Sequence, residues 1–275
     1  MLLTDTQVPG SETRDPARLL GKARRLDLFT GLDQLYAELP ETRRGCCGRC
    51  CFESPGLFYV EYLRLLELLA ARPAEEREAL VGNALRELLF SWIEPTRTCL
   101  FLGGEGRCTI YDQRPLVCRL FGLTPPSDPE RAEHEMHLAA AEEARELRRL
   151  GVRIPKATLV RARSHCRRVR SAHGRRPKTD ADALADRAAA LDSQLLPREV
   201  VLQEYCFVSL PDRLGNAMPV SDRLGASMLG GEVVEELRLQ LLRRAQQGES
   251  VEQLLAEVLA QTQPPAILRR TRRRR

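Results

Sequence analysis

The sequence predicts a mainly α-helical fold: a helical scaffold with a small Cys-rich metal-binding insert that contains a short hairpin. Three observations carry this prediction. Leucines recur at helical spacing along most of the 275 residues, aromatic residues make up only 5% of the chain, and seven of the nine cysteines fall between Cys46 and Cys118. A core built from Leu, Ala and Val without many aromatics suits helices better than a sandwich of short strands. Sulfurs crowded into about a quarter of the chain are spaced like ligands rather than like packing residues.

Taken in order, residues 1–15 mix Thr, Asp, Pro and Gly without periodicity and read as a flexible N-terminus. From Asp15 the pattern turns helical through Leu26, and Leu32, Leu35 and Leu39 follow at helical spacing up to Pro40. Gly45 and Gly48 flank the first cysteines, Cys46, Cys47, Cys50 and Cys51, and Ser54-Pro55-Gly56 makes a turn. Val60, Leu63, Leu66 and Leu69 form the stripe of a helix that ends before Pro73. A second helix opens at Ala74 with Glu75 and Glu76 at its positive end and runs to Trp92 and Ile93.

Residues 96–122 carry the other half of the cysteine set. Gly103, Gly104 and Gly106 separate two short β-prone runs, which predicts a hairpin with Cys99 on one arm and Cys108 on the other. Pro115 is placed to start a helical turn at its first position, which sets Cys118 one turn later. A helix from Pro129 to Leu150 stops at Gly151, and Asp180–Leu196 reads as another. Residues 199–210 read as a short helix or strand around Cys206, a core cysteine. Glu232–Ala245 and Ser250–Ala260 are amphipathic helices joined at Gly248. The predicted organisation is a helical domain over 16–210 with its cysteine core at about 45–122, a C-terminal helical segment over 211–263 and a basic tail over 264–275.

The chemistry follows from sulfur. A thiolate binds soft or borderline cations because the metal displaces its proton, and short Cys-x-x-Cys loops bring two sulfurs to one ion without backbone strain. The ligand pool is Cys47, Cys50, Cys51, Cys99, Cys108 and Cys118, with Cys46 and Cys166 as additional candidates. This exceeds the four ligands of one tetrahedral zinc, and neighbouring Cys50 and Cys51 reach the separated corners of a multinuclear centre more easily than one small ion. Zinc and an iron-sulfur cluster both stay open. Arg114 and Arg119 lie within four residues of candidate ligands and are placed to offset thiolate charge.

The arrangement Cys47-x-x-Cys50-Cys51, Cys99, Cys108-x-Ile110-Tyr111 and Arg114-Pro115-x-x-Cys118-Arg119 resembles the YkgJ-type cysteine-cluster family of zinc- or iron-chelating proteins over roughly residues 45–122. Two departures from that pattern are visible. Arg44 stands where members often carry a further cysteine, and Cys166 is followed by Arg167-Arg168 instead of a Pro-Gly turn. The resemblance implies a metal centre. Flagellin lysine methylases are similar over the same block, so it also admits redox or methyl-transfer chemistry.

Charge and composition set the remaining bounds. No stretch of eighteen uncharged apolar residues occurs, so no membrane span is expected. The first residues lack the basic flank and apolar centre of a secretory signal, and a cytoplasmic setting is expected, where clustered cysteines bind metal rather than form disulfides. The formal net charge is +5, and Arg269–Arg275 holds six arginines in seven residues, a tail attracted to polyanions. The sequence therefore supports two functions: a metal or iron-sulfur protein of redox or group-transfer character, and a zinc-stabilised module whose basic surface binds nucleic acid or another anionic partner. No glycine-rich nucleotide loop, Walker-type lysine or Ser/His/Asp constellation stands out. His134 and His137, one helical turn apart, read as a solvated face, and Tyr111 and Asp112 as a packed ring and a turn residue.

Overall fold

The computed structural model describes residues 15–40, 51, 54–94, 98–121, 123, 128–159, 180–196, 208–216 and 231–268. The expectations that fall on the N-terminus, on Cys46, Cys47, Cys50, Cys166 and Cys206, and on the arginine tail lie outside these residues.

The chain begins with α1 (Pro16–Arg25), started by Asp15, which accepts a hydrogen bond from the Ala17 amide at 3.0 Å, and by Pro16 in the first turn. The continuous periodicity through Leu39 breaks at Asp27, whose φ of 52° is left-handed, so that α2 (Leu28–Ala37) leaves at a new angle. Each helix buries one apolar face, Leu19, Leu20 and Ala23 on α1 and Leu28, Phe29, Leu32 and Leu35 on α2.

Two helices form the centre. Helix α3 (Tyr59–Ala70) buries residues nearly all round, including Val60, Tyr62, Leu63, Leu65, Leu66 and Leu69, because α1, α2 and α8 (Ala181–Leu195) pack on it. Helix α4 (Ala74–Phe90) has Glu75 and Glu76 in its first turn and buries Leu80, Ala84, Leu85, Leu88 and Leu89. Against it lie α9 (Leu210–Asn216), α10 (Gly231–Gln246) and α11 (Val251–Gln261). Between these groups the chain forms α5 (Leu116–Leu120), the largely exposed α6 (Pro129–Arg149) and the single turn α7 (Lys156–Leu159). Gly151 at φ 86° and Gly248 at φ 105° take the left-handed turns that follow α6 and α10. After α11 a 3-10 turn, Ala266–Leu268, packs back on α1 and α3 and buries Leu268.

Among the described residues the sheet is one antiparallel pair, β1 (Gly56–Leu57) with β2 (Val208–Ser209), and Gly56 faces Ser209. The fold is therefore mainly helical, as expected. The predicted hairpin around Gly103–Gly106 is reduced to a single antiparallel bridge, between Leu102 and Cys108.

Polar groups in this core are few and specific. Asp192 on α8, 2% exposed, accepts the amides of Tyr59 at 2.6 Å and Val60 at 2.8 Å, capping α3 from another helix. Beside it, buried Arg213 on α9 donates to the Leu57 carbonyl at 2.6 Å. At the surface, Arg187 pairs with Glu38 and Arg64 with Asp33, exposed contacts that water and salt screen and that add little to stability.

Replacing Asp192 by Asn turns one acceptor into a donor and strands one α3 amide, a cost of roughly 1–3 kcal/mol in urea denaturation. Burial lifts the Asp192 carboxyl to about 6, against the pull of the two amides. The folded chain therefore holds that proton more tightly than the unfolded one, and this group adds stability as pH falls through about 6. The stability difference between wild type and D192N should widen between about pH 7 and about pH 5; a difference that stays constant or narrows contradicts the assignment.

Candidate metal centre

Four of the candidate cysteines, Cys51, Cys99, Cys108 and Cys118, are described, and none is in a disulfide. They arrive on three separate segments. The first two are joined through the backbone, where the Cys99 amide donates to the Cys51 carbonyl at 2.8 Å and sets the two segments side by side. Scaffold helix α4 fixes this pair. Its buried Glu87 accepts the Ser54 amide at 2.9 Å and the Ser54 hydroxyl at 2.7 Å, while the same hydroxyl oxygen receives the Leu100 amide at 3.4 Å. One side chain, three residues beyond Cys51, thus links that segment to α4 and to the residue after Cys99.

Beyond Cys99 the chain doubles back. Gly103 donates to the Arg107 carbonyl at 2.8 Å, Gly106 takes φ 70° in the turn, and Thr109 donates to the Phe101 carbonyl at 2.8 Å. A Cβ on Gly103 would come within 3.2 Å of Thr109 Cγ2 and 3.3 Å of the Arg107 carbonyl oxygen, so the turn closes tightly there. The fold brings Cys108 back to where its charge bears on the Cys99 thiol.

Burial pushes the Cys99 thiol up to about 12; nearby Glu87 and Cys108 act in the same direction, and a hydrogen bond from the Phe101 backbone and the contact with the Ser54 side chain oppose it. At neutral pH such a group stays a thiol unless a cation neutralises its anion. A buried thiol of this kind fits a soft, thiolate-binding metal.

Cys118 sits on α5, fixed from a different side. Pro115 is the residue before the helix, one position earlier than the sequence suggests, and Leu116 is the first helical residue. The Leu116 amide donates to Glu61 of α3 at 2.6 Å, and the Tyr36 hydroxyl donates to the same carboxylate oxygen at 2.5 Å. Burial, reinforced by Glu61, holds the Tyr36 phenol well above its ordinary range, and the Cys118 thiol adds a smaller push. Burial also raises the Glu61 carboxyl against its hydrogen bonds.

The two arginines expected beside the sulfurs are both on this segment. The Arg119 guanidinium stacks on the Tyr36 ring 4.0 Å from its centre and donates to the carbonyls of Arg114, at 2.7 Å, and Asp112. Arg114 lies over the Tyr111 ring at 3.7 Å and donates to the Tyr111 carbonyl at 2.9 Å. Both hold the turn that delivers Cys118 by cation–π stacking and carbonyl bonds. A cleft of about 120 Å³, lined by Asp33, Tyr36, Glu61, Asp112 and Arg119 among others, opens beside them.

Among the described residues, no group of three or more Cys, His, Asp or Glu side chains is placed to hold a metal ion. Of the sequence-derived pool, Cys51, Cys99 and Cys108 share one neighbourhood and Cys118 stands next to Tyr36, while Cys46, Cys47, Cys50 and Cys166 lie outside the described residues. His134 and His137 are both exposed on α6. Sequence reasoning passed over Ser54, Glu61 and Glu87. For Glu61 the available signal was an acid inside an apolar run, Tyr59-Val60-Glu61-Tyr62-Leu63; Ser54 and Glu87, the latter beside Arg86, left none.

Ser54→Ala removes the hydroxyl that joins Glu87 to the Cys99 segment. It should lower stability by roughly 1–3 kcal/mol in urea denaturation, and a neutral result would contradict the clamp.

Residues 43–142 match a family model named CxxCxxCC and described as "Putative zinc- or iron-chelating domain". No curated protein and no solved structure matches the chain. The matched stretch holds the whole cysteine block from Cys46 to Cys118 together with α3, α4 and α5, and its description agrees with the thiol chemistry of the buried Cys51 and Cys99. Over residues 43–142 the chain is thus similar to a family of zinc- or iron-chelating domains.

Proposed function

We propose that the protein binds zinc or an iron-sulfur cluster through Cys47, Cys50, Cys51, Cys99, Cys108 and Cys118, with redox or group-transfer character when the bound group is a cluster. The observation that carries this reading is the backbone bond between Cys51 and Cys99, which sets sulfurs 48 positions apart in the chain on adjacent segments, with Cys108 returned beside them.

A cluster would supply one-electron chemistry, and zinc would supply a fixed tetrahedral node. What the chain contributes is exclusion of water around Cys51 and Cys99 and a fixed backbone hydrogen bond from Phe101 to the Cys99 sulfur. More than four sulfurs, two of them sequence neighbours, favour the cluster. The reading also requires reduced thiols, which a cytoplasmic setting supplies.

Metal analysis with an anaerobic visible spectrum tests it. Brown protein with sulfur-to-iron absorption supports the cluster, colourless protein with stoichiometric zinc supports the mononuclear centre, and protein free of both metals contradicts the reading. Cys99→Ser and Cys108→Ser should each lower bound metal several-fold while Cys206→Ser leaves it unchanged. Zinc titration of reduced, metal-free protein in buffers of different ionisation enthalpy should register proton release, because protonated thiols must become thiolates on binding.

A further inference from the structure

We propose that Glu61 is the positioning residue for Cys118: a carboxylate from the central helix α3 that caps the cysteine-bearing helix α5 from outside and locks the residues on both sides of the sulfur. Its role toward a metal rests on the ligand assignment above; its role toward the cysteine does not.

A helix of five residues, Leu116–Leu120, cannot hold itself, since nucleation costs more than one turn returns. Its first amides have no acceptor inside the helix. Pro115 before it has no side chain able to cap, and no side-chain cap from that position is made. Glu61 fills this gap across 55 residues of sequence, accepting the Leu116 amide at 2.6 Å in a place where the carboxylate is only 2% exposed.

The same carboxylate controls the other side of Cys118. Its Oε1 also takes the Tyr36 hydroxyl at 2.5 Å, and the ring so fixed is the surface on which Arg119 stacks at 4.0 Å. Leu116, two residues before the cysteine, and Arg119, one residue after, are thus both referred to the Glu61–Tyr36 pair. The remaining oxygen, Oε2, accepts the Phe58 amide at 3.0 Å and ties the assembly to the start of α3.

A glutamine cannot substitute. Its amide nitrogen must replace either Oε1, where it meets the Leu116 N–H, or Oε2, where it meets the Phe58 N–H. In either orientation one buried backbone donor loses its acceptor. Tyr36→Phe removes one donor of three and leaves both backbone bonds in place.

The test is site-resolved alkylation of the reduced, chelator-treated full-length protein with iodoacetamide under native conditions, each cysteine followed by peptide mass spectrometry. Glu61→Gln should speed modification of Cys118 roughly tenfold and leave Cys99 within about twofold of wild type, and Ser54→Ala should give the reverse order. Tyr36→Phe should give a smaller, still Cys118-selective rise, and it decides the question if circular dichroism shows that E61Q does not fold. Unchanged Cys118 reactivity, or equal acceleration at Cys99 and Cys118, overturns the proposal. In parallel, cobalt(II) added to wild type and E61Q reports the metal role. A weaker sulfur-to-cobalt band in E61Q supports it, and equal bands overturn it. No band in wild type overturns the ligand assignment itself, while the alkylation result still decides the positioning of Cys118.

Discussion

A carboxylate inside an apolar helical interior survives only when its oxygens are filled with donors, and here the donors come from the backbone of the segments that carry cysteine. Glu87 takes Ser54 beyond Cys51, and Glu61 takes Leu116 ahead of Cys118. Neither segment has enough regular structure to stand alone, one being an irregular stretch and the other a helix of five residues. The two acids are rigid because α3 and α4 are buried on most sides by other helices. Order in the cysteine loops is borrowed from the scaffold, and the cost of burying charge is offset by hydrogen bonds that the loops could not otherwise make.

This arrangement bears on how the thiols behave. Water kept away from Cys51 and Cys99 raises the cost of a bare thiolate and strengthens the attraction of any cation that reaches it. The hydrogen bond that Cys99 receives from the Phe101 backbone and its contact with the Ser54 side chain work in the opposite sense, toward the anion. Donors aimed at a buried sulfur have a purpose once that sulfur is a metal-bound thiolate, which keeps its negative charge and accepts such bonds well. At Cys118 the neighbouring guanidinium is instead held on a ring and on carbonyls, so it shapes the backbone turn first.

Much of the scaffold was legible in the sequence because periodicity reports burial directly. The stripes of α3 and α4, the helix starts at Asp15 and Asp180 and the stops at Gly151 and Gly248 all stand where spacing and turn chemistry put them. The break at Asp27 was hidden, since apolar spacing runs on through it and a left-handed non-glycine residue leaves no mark in the pattern. The pairing of Gly56–Leu57 with Val208–Ser209 was hidden as well, because two residues are too few to show alternation. For the site, the cysteines announced themselves by clustering. Glu87 did not, because an acid beside Arg86 reads as a solvated face until its partner Ser54, 33 residues away, is seen against it, and Glu61 offered only its apolar neighbours as a hint.

What ties the account together is the proposal that sulfurs from separated segments share one metal centre. X-ray absorption at the zinc and iron edges of anaerobically purified protein tests this most directly. The account predicts a first shell dominated by sulfur, at about 2.3 Å. A shell of oxygen and nitrogen alone, or no edge above background, would contradict it.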